Sequence, residues 1–245
     1  MAETADEEIR EWMADREPFL RFLKEWERTW PTPKLADVIQ EAGGPENTAI
    51  VCTDLTVAFT TRGRLASPRV AALVPPIIGL FKLAHALGIR TFVLTQDAHP
   101  PDSPEFRAYG PHAVPGTGEE ETVPELKGLP FAGLFKVIPK QNLNPGIDTE
   151  FPSWLEEHPN VKLFIVVGDC TDLCVYQIAM YLRLRANQFK FDYEVVAPAN
   201  CVDTFEISYE TAAKLGIFPH DADFLHLLFL YHMALNDIRV VRGLG

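Results

Sequence analysis

Positive charge is scarce in this chain. Its 245 residues hold 22 Lys and Arg against 34 Asp and Glu, a net charge of −12. No basic stripe with interleaved aromatics is present either, and this excludes a nucleic-acid surface, which needs clustered cations to neutralise phosphates. Long uninterrupted apolar runs are also missing: Lys, Arg or His breaks each one, so no membrane span is expected. The first thirty residues are rich in Glu, Asp and Arg and lack the apolar centre of an export signal. The expected location is therefore the cytoplasm, where thiols stay reduced. Cysteine is sparse, at four residues, and no Cys-x-x-Cys occurs. Catalysis or plain burial is thus a better first reading of these thiols than disulfides or a redox pair. Internal repeats and low-complexity segments are absent as well.

What is present is the composition of a globular chain with a sizeable core, 47% apolar and 23% charged. "DEEIREWMADREPFLRFLKEWERTW" repeats apolar residues at three-to-four spacing and predicts an amphipathic helix broken at Pro18. "KLADVIQEAGG" predicts a short helix closed by glycine. Residues 1–45 then form a helical N-terminal extension, and 46–245 form the main domain. Six apolar segments follow, at 48–54, 89–97, 134–140, 161–168, 193–198 and 238–241. Each has strand character, and helical patterns lie between them, with "PRVAALVPPIIGLFKLAHALG" expected to kink or restart at Pro75-Pro76 and further helices at 174–187 and 222–235. Apolar strands alternating with helices predict a three-layer α/β fold around a mostly parallel, roughly six-stranded sheet.

The polar residues cluster by position. Asp54 closes the first strand, Asp97 the second and Lys140 the third, and Cys170 and Cys174 follow the fourth. In open parallel sheets the ligand crevice lies beyond the carboxyl ends of the strands. Any one of these groups alone would be an ordinary loop residue; four at one sheet edge suggest a site. Cys174 should open a helix capped by Thr171 or Asp172, where the helix dipole favours thiolate. Asp54 is the candidate base and Lys140 the electrostatic anchor. Cys170 lies on the turn itself, so its natural contribution is a backbone N–H, paired with that of Cys174 as an oxyanion hole. Cys52 and Cys201 read as buried structural thiols.

The loop "QDAHPPDSPEFRAYGPHAVPGT" gathers Asp97, His99, Asp102, Glu105 and His112. An Asp-x-His pair followed by a second histidine at a Pro-Gly-rich turn is a donor set for zinc, iron(II) or manganese(II), with Glu105 or His112 completing the shell. The alternative is a solvated polar loop. His85, His220, His226 and His232 carry no assigned role.

From about Ala49 to its end the chain resembles the isochorismatase-like cysteine hydrolases, and within them the nicotinamidases. The resemblance rests on Asp54 and Phe59 in "DLTVAF", on "DAHPPDSPEFRAYGPH", on Lys140 in "VIPK", and on "GDCTDLCV". The last carries all five fixed residues of a Gly-x-x-Thr-Asp-x-Cys-Val pattern. The resemblance implies Cys174 as nucleophile, Asp54 as proton acceptor and Lys140 as the group that positions them, in hydrolysis of an amide through a thioester. It also implies an oxyanion hole of the Cys170 and Cys174 N–H groups, with a cis peptide between Asp169 and Cys170. The implied metal ligands are Asp97, His99 and His112, joined by Glu105, around a divalent ion, zinc before iron or manganese. Phe59 and Tyr109 match the positions that stack on the substrate, a small amide with nicotinamide foremost, and the family implies a homo-oligomer.

Thr56 stands where the family has Gln, Ala58 where it has an acid, and "QNLNPGIDTEF" lacks the usual Asp-x-Tyr-Ser. These changes bear on the pocket wall rather than the triad. They leave open another small amide, ureide or vinyl ether as substrate and, in a different class, a catalytically silent binding or scaffold member.

Overall fold

The computed structural model describes residues 2–245, with side chains from Asp6 onward. The chain divides into two compact units, residues 1–31 and 32–245. In the first, a single helix runs from Ala2 to Arg28, straight through Pro18. The expected break does not occur. Proline deletes one helical hydrogen bond, but Glu17–Arg21 and Lys24–Glu27 ion pairs span the turns after it, and Arg16 donates to the Trp12 carbonyl before it. The helix exposes Ile9, Trp12, Met13 and Phe22.

The second unit is a sheet of seven parallel strands: β1 (Thr48–Thr53), β2 (Thr91–Asp97), β3 (Phe135–Lys140), β4 (Leu163–Asp169), β5 (Glu194–Pro198), β6 (Val202–Asp203) and β7 (Arg239–Val241). Their order is β3-β2-β1-β4-β5-β7, with β6 pairing to the end of β4. The six expected strands are all present, and β6, only two residues long, is the addition. β1 and β4 are buried along their whole length, which is why they read as unbroken apolar runs rather than alternating ones. β3 lies at the edge, where Pro139 can sit without removing a ladder donor.

One face of the sheet packs Ile50, Cys52, Leu94, Ile165 and Val167 against Leu35, Val38, Ile77, Leu80 and Phe81. Helices Leu35–Glu41 and Val74–Ala86 supply those partners. Helix Cys174–Phe189 runs along β4 and β5 and against helix Ala222–Leu235. The helical segment around Pro75-Pro76 restarts as predicted: Pro68–Ala71 ends, and a second helix begins at Val74 with proline in its first turn. Contrary to the sequence expectation, Pro68–Ala86 does reach the length and mean hydropathy of a membrane span, 1.3 over its best window. Within it, Ile77, Leu80, Phe81 and Ala84 of the second helix are buried.

Gly168 locks the central register. Its φ of +113° suits only glycine, and a Cβ there would sit 1.9 Å from the Thr53 carbonyl oxygen. β1 and β4 therefore end pressed together, and Asp54 and Asp169 meet at the carboxyl edge.

Candidate active site

Strand register brings the acidic and basic groups together. Asp97 and Lys140 are paired residues at the ends of β2 and β3. Asp54 follows β1 with φ +55°, its N–H donating to the Thr95 carbonyl at 2.9 Å. Its Oδ1 accepts from the Asp97 N–H at 2.8 Å and its Oδ2 from Thr53 Oγ1 at 3.0 Å. Lys140 Nζ reaches Asp54 Oδ2 at 2.7 Å, Asp97 Oδ1 at 2.5 Å and Cys174 Sγ at 3.4 Å. All four side chains are buried.

A buried ammonium between two carboxylates is the arrangement that offsets its own desolvation. Burial pushes the Lys140 amine down, but Asp54, Asp97 and Cys174 outweigh it and keep the group protonated. Burial and the nearby Asp97 push the Asp54 carboxyl up, against the pull of Lys140 and a hydrogen bond with Cys174. Asp97 is held well below the usual carboxylate range: burial raises it, and Lys140, His112 and His99 together overcome that.

Cys174 opens helix Cys174–Phe189, as expected, but the capping and charge differ from the sequence reading. The N-cap is Leu173 with no side-chain cap. Thr171 Oγ1 pairs instead with His226 Nδ1 at 2.8 Å, and Asp172 Oδ2 with His220 Nε2 at 2.8 Å. The surroundings of the thiol oppose its ionisation. Burial raises it well above its ordinary value, Asp54 and Asp97 add to that, and only Lys140 opposes them. Burial, with carboxylates this close, outweighs the partial charge of a helix terminus. Cys170 lies on the turn before the helix, its peptide bond to Asp169 cis, and its thiol is directed at Asp169 Oδ2 at 3.6 Å. Cys52 and Cys201 are free thiols in the core.

A second cluster adjoins the first through Asp97. Asp97, His99, Glu105 and His112 offer ligand atoms all within 4.8 Å of one another. His99 Nε2 is 3.4 Å from Asp97 Oδ2 and 3.9 Å from Glu105 Oε1, and His112 Nε2 is 3.6 Å from Asp97 Oδ2. Both rings are oriented from behind: Ser103 Oγ stands 3.4 Å from His99 Nδ1, and the Gly110 carbonyl 2.8 Å from His112 Nδ1. His99 Nε2 is buried with no hydrogen-bond partner. Asp102 is exposed and takes no part.

Over these groups lies a cleft walled by Phe59, Leu65, Tyr109, Leu143, Leu173 and Phe205, with Asp54, Asp97, Glu105, His112, Asp169, Cys170 and Cys174 on its polar side. The rings of Phe59 and Tyr109 lie 5.7 and 6.4 Å from that of His112. Sequence reasoning missed Leu65, Leu143, Phe205 and the buried Asp169. The first three are ordinary apolar residues that only the fold brings to the cleft. Asp169 had a usable signal: a charged residue directly after the apolar run "LFIVVG".

The isochorismatase domain model matches residues 48–225. The chain is 33% identical over 156 residues to nicotinamidase 1 of Arabidopsis thaliana, a match covering 59% of this chain and 63% of that protein's length. Among solved structures, the nicotinamidase of Bacillus subtilis superposes with a TM-score of 0.63 at 21% identity, over 80% of this chain and 99% of that one. The pyrazinamidase of Pyrococcus horikoshii, solved in complex with zinc, gives 0.61 at 21% identity over 80% and 99%. N-carbamoylsarcosine amidase of Thermoplasma acidophilum gives 0.60 at 21% over 80% and 96%. At such identities these structures speak for the fold alone. With the family model spanning β1 to β6, the Cys170–Cys174 turn and the histidine loop, the chain belongs to the isochorismatase domain family.

Proposed function

We propose that the protein is a cysteine-dependent amidohydrolase whose leading substrate is nicotinamide, released as nicotinate and ammonia. The observation that carries this reading is the buried Lys140 ammonium held between Asp54, Asp97 and Cys174, three groups that line an apolar-walled cleft. The likeness to the Arabidopsis nicotinamidase supports the choice of substrate.

The chemistry follows from proton affinities. Burial raises the Asp54 carboxyl and makes it a stronger base, and the proton moves from the Cys174 thiol to Asp54 as sulfur attacks the amide carbon. Lys140 stays charged throughout and limits the build-up of negative charge. The N–H groups of Cys170 and Cys174 receive the oxyanion. Collapse of the tetrahedral species expels ammonia with the proton from Asp54 and leaves an acyl thioester. Water then attacks, Asp54 again takes the proton, and the carboxylate product leaves with the thiol restored.

Asp97, His99, Glu105 and His112 fit a divalent ion. The buried, unpartnered His99 Nε2 and the two Nδ1 atoms already engaged outside the cluster leave both Nε2 atoms turned inward. Nitrogen with carboxylate oxygen suits zinc, with iron(II) and manganese(II) as the alternatives. Such an ion would supply a Lewis-acid anchor for a ring nitrogen and ordered water. Phe59 and Tyr109 would flank a flat ring.

The test is ammonia release from nicotinamide by the metal-replete full chain. No turnover by the wild type would reject the substrate. Undiminished turnover in Cys174→Ala would reject the mechanism.

A further inference from the structure

Phe205 reaches the cleft from an unexpected direction. It follows β6, whose pairing with Gly168 and Asp169 anchors it at the active edge. From there the chain leaves through helix Tyr209–Leu215 and returns to His220, which is bridged to Ile207 by two backbone hydrogen bonds of 2.9 Å. The segment is thus a strap closed at its base, and His220 sits at the closure.

The His220 ring stacks on Phe205, centroids 4.0 Å apart and planes 19° from parallel. Its Nδ1 lies 2.8 Å from the Phe205 carbonyl oxygen and its Nε2 2.8 Å from Asp172 Oδ2. Asp172 belongs to the tight turn between Cys170 and Cys174, where the Leu173 N–H donates to the Cys170 carbonyl at 3.0 Å. Both ring nitrogens therefore face oxygen acceptors. A neutral imidazole has one N–H and could satisfy only one of them. Two short contacts of this kind require two N–H donors.

We propose that His220 is a positioning residue: as an imidazolium it pins the cleft-wall residue Phe205 to the turn that carries the nucleophile. The charges around it agree. Asp172 faces it from the turn and Glu206 from the strap, the latter also accepting from the Ala222 N–H at 2.7 Å. Asp221, next in the chain, caps the following helix through the Phe224 N–H at 3.0 Å. All three are acids. Burial pushes the imidazole down, but the hydrogen bond and charge of Asp172 outweigh it and raise it above its ordinary 6.5. Asp172 is correspondingly lowered: burial raises it, and His220 and Thr204 overcome that. The pin is intact below the histidine's raised value and is lost as pH rises through it. An acceptor then faces an acceptor, and Phe205 loses its tie to the turn.

The kinetic consequence rests on the amidohydrolase reading, whereas the protonation state does not. The experiment has two arms on the zinc-loaded full chain. In the first, the His220 imidazole is followed by NMR across pH in the wild type, assigned by its loss in His220→Gln. A midpoint above the ordinary 6.5 is expected; a midpoint at or below that value overturns the pin, whether or not any substrate turns over. In the second, KM and kcat for nicotinamide are measured across pH. The wild-type KM should rise about tenfold through the same midpoint while kcat changes less than about threefold. His220→Gln should show the raised KM at every pH, with the alkaline limb gone. A His220→Gln enzyme with wild-type KM and an unchanged pH profile also overturns it. Should His220→Gln fail to fold, the imidazole is assigned by elimination, through single substitutions of the other histidines among the seven in the chain, and its titration decides. Absence of wild-type turnover would instead reject the substrate reading, and the titration alone would then uphold or overturn the pin.

Discussion

Lys140 and Asp97 face each other in register at the ends of adjacent strands, with Nζ 2.5 Å from Oδ1. The other Asp97 oxygen lies toward His99 and His112. One carboxylate thus belongs both to the Lys140–Cys174 cluster and to the histidine cluster.

Removing the shared cation should be severe. In Lys140→Met the Asp54 and Asp97 carboxylates lose their buried counter-charge. The expected loss is about 3–5 kcal/mol of stability, together with activity. Urea unfolding of the variant at neutral pH measures it; a stability within about 1 kcal/mol of wild type, the size of a surface ion pair, would contradict the electrostatic account.

The two cysteines of "GDCTDLCV" should separate cleanly. Cys174→Ala is expected to lower kcat at least about 10³-fold, because no other nucleophile adjoins Asp54 and Lys140 among the described residues. Cys170→Ala keeps its backbone N–H and should stay within about threefold of wild type. Parallel ammonia-release assays decide between them.

The histidine cluster should hold the metal. His99→Ala and His112→Ala are expected to purify with less than about a tenth of the wild-type metal content. His85, stacked on Phe131 away from the site, serves as the control, and His85→Ala should bind a full complement. Chelation should lower the wild-type melting temperature and added zinc restore it. Elemental analysis and thermal melts provide the readings.

Gly168→Ala tests the register of the sheet. With a positive φ and the Thr53 carbonyl in the place of a side chain, the substitution should cost more than about 2 kcal/mol. It should also lower kcat, because Asp54 follows Thr53 directly. Denaturant midpoints and ammonia release test both parts.

The Asp172–His220 pair makes a stability prediction apart from kinetics. Asp172 is lowered from 3.8, so its contribution is present above that value and is lost as pH falls through the folded one. His220 is raised from 6.5, so its contribution is present below that value and is lost as pH rises through the folded one. Both hold between 3.8 and 6.5. The melting-temperature gap between wild type and His220→Gln should be widest in that window and shrink on either side. A gap independent of pH would count against the charged pair.

Much of this fold is legible in pattern. Unbroken apolar runs such as "TAIVC" and "LFIVVG" mark strands covered on both faces, and all six segments of strand character are strands. Val202–Asp203, which pattern does not reveal, is two residues long and has no periodicity to detect. Pro18 reads as a helix breaker because a local rule counts the lost hydrogen bond and not the ion pairs around it. Thr171 and Asp172 read as caps for the same reason: their composition is right for that role, and the competing partners His226 and His220 lie 55 and 48 positions further along.

The sequence by itself determined the order of strands and helices, the punctuation by Gly and Pro, and the placement of Asp54, Asp97, Lys140 and the cysteines at strand ends. These are properties of neighbours in the chain, and backbone periodicity carries them. Only the tertiary structure decided what the charges do. Register brought Lys140 between two carboxylates, burial then pushed the Cys174 thiol up, and a strap folded back so that His220 could clasp Phe205 and Asp172. Coulomb energies and desolvation depend on distance and depth, and neither quantity is written along a chain.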